Sequence, residues 1–239
     1  MTNSRKIAGI FILISFLTAG HTVAQDASTI IKYLRGINDA YMNASSCRFD
    51  IQYHVYRNAS SMIPVESSSG SYYKKKQSYA WVADNQLIIQ NKLYFIMADK
   101  ESKNLLVGTP VAQSLVFMPI PLDSIIQFCS GYRLVEKGEE KEIQLSFEYA
   151  LDNVSRIDIR FSKNMFLSRL VMYYEDFSDD EEIPLVTTSP RLEMVFTAIE
   201  INGSIDDQLF SEKSFFQIKD GEINPAGIYK EYFLIDQRF

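Results

Sequence analysis

The 239-residue chain is 46% apolar and 13% aromatic, enough for a packed fold with a sizeable core and too much for a disordered chain. Acidic residues outnumber basic ones 30 to 24, a formal charge of −6. That balance argues against a nucleic-acid partner, whose phosphates demand a basic face.

Residues 1–24 read as a secretory signal peptide. Arg5 and Lys6 supply the basic start, residues 7–17 the apolar run, and Thr22-Val23-Ala24 the small-residue cleavage site. No cysteine follows the apolar run, so a bacterial lipid-anchoring signal is not expected. Removing residues 1–24 leaves 22 basic against 30 acidic residues, a charge of −8. Residues 25–239 are then expected to form one exported domain.

Residues 26–44 give the clearest helix, with Ile30, Leu34, Ile37 and Tyr41 on one face and polar residues on the other. Residues 49–56 alternate Phe49, Ile51, Tyr53 and Val55 with polar neighbours, the pattern of a half-buried strand. A Ser-rich loop containing Pro64 follows. Residues 70–108 then read as consecutive antiparallel strands, with turns at Asp84-Asn85, at Asn91-Lys92 and over 99–103. Tyr79, Trp81, Leu87, Ile89, Leu93, Phe95 and Met97 recur at period two and predict one bulky apolar face.

Residues 111–118 and 122–128 are two short apolar pieces broken by Pro119 and Pro121. They predict short helices over the mouth of a curved sheet. Strands resume around Ile143, Ile157, Ile159, Leu170, Met172, Met194 and Phe196. The acidic run 176–182 reads as a solvated loop, and 201–210 as a turn, then a short helical turn with Leu209 and Phe210 packed inward. A last strand is expected over 229–235.

The inventory of reactive groups is thin. His54 is the one histidine beyond the signal peptide and lies on the polar side of a strand. No His/Cys cluster has metal-ligand spacing, no Gly-rich loop cradles a phosphate, and no Gly-x-Ser-x-Gly turn offers a nucleophile. Asp206 and Asp207 are neighbours on a turn, where capping a helix is the expected role. No catalytic residue, metal or cofactor is therefore assigned. Cys47 and Cys129, in an exported chain, can pair as a disulfide or stay as two buried thiols. Four Asn-x-Ser triplets, at Asn43, Asn58, Asn153 and Asn202, read as chance.

A binding role needs less. An apolar sheet face under short helices makes a greasy cavity, and burying acyl chains there is driven by about 25 cal/mol per Å². The expected wall is Trp81, Leu87, Ile89, Phe95 and Met97, closed by Leu115, Phe117 and Ile125, with Met172 and Met194 as adaptable lining. A core filled by the same side chains gives the same periodicity.

The order of elements resembles the LolA-like periplasmic lipoprotein carriers, from the first helix to about residue 216. The resemblance rests on an exported helix running into FDIQYHVY, and on GSYYKKKQSYAWV with its aromatic-x-Trp strand end. It continues through QLIIQNKLYFIMADKESKNLLV, the hairpin RIDIRF with LSRLVMYYED, and LEMVFTAIEINGSIDDQLF. The resemblance implies a mainly β (α+β) fold, an incomplete antiparallel β-barrel covered by an N-terminal helix and short central helices. It implies a periplasmic, non-enzymatic carrier of lipoprotein acyl chains or another lipid. An inner-membrane releasing complex and an outer-membrane acceptor would be its partners. Where the family has Arg-Pro this chain has Lys75-Lys76, so the resemblance gives Lys75 the gating or charge-contact position. The alternative is a cell-envelope interaction or sensing module of the same fold with a filled cavity.

Overall fold

The computed structural model describes residues 27–111, 125–151, 153–175 and 189–238. Helix α1 (Ala27–Asn43) leads into a first meander: β1 (Ser46–Tyr56), β2 (Glu66–Lys75), β3 (Ser78–Ala83), β4 (Gln86–Gln90), β5 (Phe95–Asp99) and β6 (Asn104–Gly108). A 3₁₀ turn, Ile125–Phe128, opens the second: β7 (Cys129–Lys137), β8 (Glu140–Leu151), β9 (Val154–Phe161), β10 (Leu167–Tyr174) and β11 (Arg191–Ile201). The chain continues through 3₁₀ turns Asp207–Phe210 and Glu212–Ser214. The hairpin of β12 (Phe216–Lys219) and β13 (Glu222–Pro225), a 3₁₀ turn Gly227–Tyr229 and β14 (Phe233–Gln237) complete it.

Twelve strands form one curved sheet in the order β14-β6-β5-β4-β3-β2-β1-β11-β10-β9-β8-β7. Pairing of β1 with β11 joins the two meanders. β14, which takes up the end of the last strand expected over 229–235, adds in parallel to β6. Among the described residues the edge strands β14 and β7 do not pair, so the sheet is not closed into a barrel. The expected central helices are not seen among the described residues, which show only the 3₁₀ turn Ile125–Phe128 there. The rest of that segment, including Leu115, Phe117 and Met118, lies outside the described residues, as do the signal peptide and the acidic run.

The two faces of the sheet carry separate cores. On the inner face, Ile30, Leu34, Ile37 and Tyr41 of α1 are at most 1% exposed and pack over Phe49, Ile51, Ile143, Leu145, Ile159 and Phe161. Helical spacing places these four on one side of α1, so its burial is a direct product of the sequence pattern. On the outer face of the first meander, Ala80, Ile89, Ile96, Ala98, Leu105 and Val107 lie under Ile205, Phe210, Phe215, Phe216, Ile223 and Tyr229 of the C-terminal segment. The outer face of the second meander is ionic instead. Arg156 meets Asp158 at 2.7 Å, Arg160 meets Glu142 at 2.8 Å and Arg169 meets Glu193 at 2.6 Å.

Candidate functional site

α1 covers the inner face over β1, β2 and β7–β11, and its lower end is fixed by a cation. Lys74, on the inner face of β2 and only 4% exposed, donates to the carbonyls of Tyr41 at 2.7 Å, Met42 at 2.9 Å and Ala44 at 3.4 Å. These are carbonyls at the end of α1 that lack helical partners, and the helix dipole favours a cation there. The Tyr41 hydroxyl accepts from the Leu167 backbone N–H at 3.0 Å and the ring stands edge-on to Phe49 and Phe166. Burial pushes the Tyr41 and Tyr72 hydroxyls upward in pKa, consistent with rings packed in a dry core.

The inner face of β3–β6 is apolar too, but less closed. Directly opposed residues of an antiparallel pair project to the same face. Tyr72 faces Trp81, Trp81 faces Ile88, Ile88 faces Met97 and Met97 faces Leu106. Phe95 lies on this face beside Gly108. Trp81, Ile88, Phe95, Met97 and Leu106 are all half-buried, in contrast to the fully buried residues under α1. The Trp81 ring lies over Gly70, where a Cβ would come within 2.3 Å of it, and stands edge-on to Tyr53 at 5.9 Å. Burial pushes the Tyr53 hydroxyl up to about 12.

Gln90 anchors the chain that leaves this wall. Its side-chain amide donates to the Val111 carbonyl at 3.0 Å and its oxygen accepts the Val111 N–H at 3.0 Å, a ladder-like pair made by a side chain. Gln90 is 4% exposed. At the far end of the following segment, Ile125 is buried in the core under α1. Both ends of residues 111–125 are therefore tied to the inner face.

The expected wall of Trp81, Leu87, Ile89, Phe95 and Met97 is divided by this register. Trp81, Phe95 and Met97 share the inner face, whereas Leu87 and Ile89 pack into the outer core. The cause is the turn at Asp84-Asn85. A two-residue turn pairs an odd-numbered residue with an even-numbered one, so the inward side chain of β4 is Ile88. Ile88, Leu106, Gln90 and Tyr53 were missed for the same reason or because they lay outside the central run. Met194 is buried and Met172 half-buried in the core beneath α1.

Lys75 does not face this wall. Its ammonium donates to the Ile205 carbonyl at 2.9 Å and meets Asp207 at 2.8 Å, tying the end of β2 to the C-terminal segment. Asp206 caps the following turn, accepting the Gln208 N–H at 2.9 Å. A cavity of about 730 Å³ lies beside this pair, lined by Lys76, Lys92, Leu93, Asp207 and Phe210 at the strand ends rather than over the apolar wall. Cys47 and Cys129 are free thiols. They sit on β1 and β7, five strand spacings apart, roughly 24 Å along the sheet. The Cys129 thiol instead donates to the Ile125 carbonyl at 3.5 Å. His54 bonds Ser67 at 2.9 Å. Among the described residues no group of acidic, His and Cys side chains could hold a metal ion.

No family model and no curated protein matches the chain. Solved structures similar to it include an uncharacterized conserved protein from Thermus thermophilus, at 10% identity over 89% of this chain and 100% of that one, with a TM-score of 0.44. The lipoprotein LppX of Mycobacterium tuberculosis shares 8% identity over 76% of this chain and 99% of its own, with a TM-score of 0.39. A LolA superfamily protein from Nitrosomonas europaea shares 10% identity over 78% and 99%, with a TM-score of 0.34. A LolA superfamily structure thus stands among the chain's solved neighbours, at an identity that says nothing of what this chain binds.

Proposed function

We propose that the protein is a non-enzymatic, extracytoplasmic carrier that holds an acyl chain or another hydrophobic ligand against the inner face of β3–β6. The observation that carries this reading is the contrast within one face. Under α1 the inner residues are sealed, while Trp81, Ile88, Phe95, Met97 and Leu106 form a continuous apolar wall that is only half-buried. An apolar surface left partly open costs stability that a ligand would restore by removing it from water. Val111 and Ile125, described residues of the 111–128 segment expected to close the cavity, are both tied to the inner face, and residues 112–124 between them lie outside the described residues. In this reading residues 25–239 act as one unit and exchange the ligand with membrane-bound donor and acceptor partners.

The test is uptake of a fluorescent fatty acyl probe by the wild type and by Met97→Asp, with thermal stability measured in parallel. Saturable binding by the wild type, lost in a folded Met97→Asp protein, is the expected result. A wild type that never takes up the probe overturns the carrier reading and leaves a filled envelope module of the same fold.

A further inference from the structure

The β1–β2 loop spends its polar groups on itself and offers its apolar ones to solvent. Met62 is 89% exposed, Ile63 81% and Val65 60%, all in one loop. The loop is nevertheless built. The Asn58 side-chain oxygen accepts from the Ser60 N–H at 3.1 Å, the Ser60 hydroxyl at 3.0 Å and the Ser61 hydroxyl at 2.9 Å. Arg191 of β11 lies 3.9 Å over the Tyr56 ring and donates to the carbonyls of Ala59 and Ser61. The Val65 N–H returns to the Val55 carbonyl at 2.7 Å. A loop so braced holds its apolar side chains in place at a continuing solvation cost.

Strand directions bring further apolar groups to that end of the sheet. β7 starts there and β8 ends there, next to Phe128 at 52% exposure and Tyr149 at 84%. The described charges flanking the loop are mixed, with Arg57 and Arg191 against Glu66 and Glu175.

We propose that this end of the sheet docks on a lipid bilayer surface, with Met62, Ile63 and Val65 entering the headgroup–acyl boundary. Area decides between a bilayer and a protein. A stable protein interface buries about 800 Å² on each partner, and three adjacent side chains supply on the order of a few hundred Å². A bilayer demands no complementary shape, and aliphatic side chains on a fixed loop enter its boundary readily. Because the local charges are mixed, apolar burial and not lipid charge drives the contact. The docking needs nothing from the β3–β6 wall, so it stands or falls separately from the carrier reading.

Flotation of the mature chain, residues 25–239 and free of added ligand, with phosphatidylcholine vesicles tests this. The comparison is with Met62→Ser, Ile63→Ser and Val65→Ser combined, exposed changes that leave the thermal midpoint near the wild-type value. The expected result is that the wild type floats with the vesicles at low and high salt and the triple variant stays behind. A wild type that does not float overturns the proposal, as does a triple variant that floats equally. Light scattering supplies the remaining outcome: a dimeric wild type and a monomeric triple variant would mean that a second copy covers the loop, and would also overturn it. Vesicle binding without uptake of the acyl probe would leave this proposal standing and sink the carrier reading.

Discussion

The Lys74 ammonium lies 2.7 Å from the Tyr41 carbonyl oxygen, so a side chain from β2 closes the end of α1 with a positive charge. Three carbonyls converge on one point donor, a geometry that suits an ammonium better than a planar guanidinium. Lys74→Met is expected to lower stability by about 2 kcal/mol. Lys74→Arg should not restore it. Urea unfolding, with the midpoint shifted and the slope unchanged, is the measurement. A stable Lys74→Met protein would show that packing alone holds the helix end.

Gly70 is required by a ring rather than by a turn. A methyl group there would meet Trp81 at 2.3 Å, a distance that forces the indole to move. Gly70→Ala is expected to cost about 1–3 kcal/mol through overpacking. Trp81 is the sole tryptophan, so its emission reports the displacement directly. An unchanged spectrum would mean that the ring does not rest on β2.

The register of β4 and β5 gives opposite outcomes for the same substitution on opposite faces. Ile89→Asp places an unpaired carboxylate in the outer core, where the wild-type side chain is 2% exposed, and should unfold the protein. Met97→Asp meets water at the half-buried wall and should cost only about 1 kcal/mol. Circular dichroism of the two variants decides this. Equal collapse would mean that both faces are sealed core.

Acid should weaken the outer face of the second meander. Burial raises the Glu142 and Glu193 carboxyls, but hydrogen bonds from Arg160 and Gln144 to the first, and from Arg169 to the second, outweigh it and hold both below their ordinary value. A carboxyl with a depressed folded pKa adds stability above its unfolded pKa and loses it as pH falls through the folded one. Stability is therefore expected to hold from neutrality down to about 4.5, the ordinary glutamate value, and to decline below it. Arg160→Gln leaves burial dominant at Glu142. That variant should be less stable at neutral pH, with its difference from wild type shrinking as the carboxyl takes a proton. A difference that stays constant into acid would show that Arg160 acts through packing.

The two thiols should alkylate without reductant. Burial pushes both Cys47 and Cys129 up to about 11, so neither is a ready nucleophile at neutral pH. Cys129, half-buried, is expected to react first, and Cys47, 1% exposed, only on unfolding. Mass spectrometry of the denatured, unreduced chain should show two alkyl groups. A mass with none would establish the disulfide.

Much of the fold was legible in the chain. Ile30, Leu34, Ile37 and Tyr41 announce α1 and its buried side, and the alternation from Phe49 to Val55 announces β1, because one face of each is sealed. The wall was legible strand by strand but not across strands. Alternation fixes which residues of β4 share a side, while the Asp84-Asn85 turn decides which side that is. Lys74, Lys75 and Lys76 look alike in sequence. In space they part: one caps α1, one pairs with Asp207 and one takes a positive φ of 56° at the turn. Contacts so distant along the chain leave no local pattern. Phe210 was expected to pack inward and does, but the part of Phe215 and Tyr229 in covering the outer core depends on where the returning chain crosses the sheet.

The seam between β1 and β11 bears on how fast the protein forms. Most strands within each meander, β2 to β6 and β7 to β10, are joined by short turns, so their pairing can form early from local contacts. The seam cannot: Ser45 and Asn202, bonded at its end at 3.0 Å, are 157 residues apart. Joining the halves must await closure of that long loop, and until then Phe49 and Phe196 lack each other as partners. The kinetic bottleneck thus sits in the middle of the finished sheet. Weakening the Phe49–Phe196 contact should slow refolding as well as hasten unfolding, whereas a change in either meander's own turns alters a step already complete.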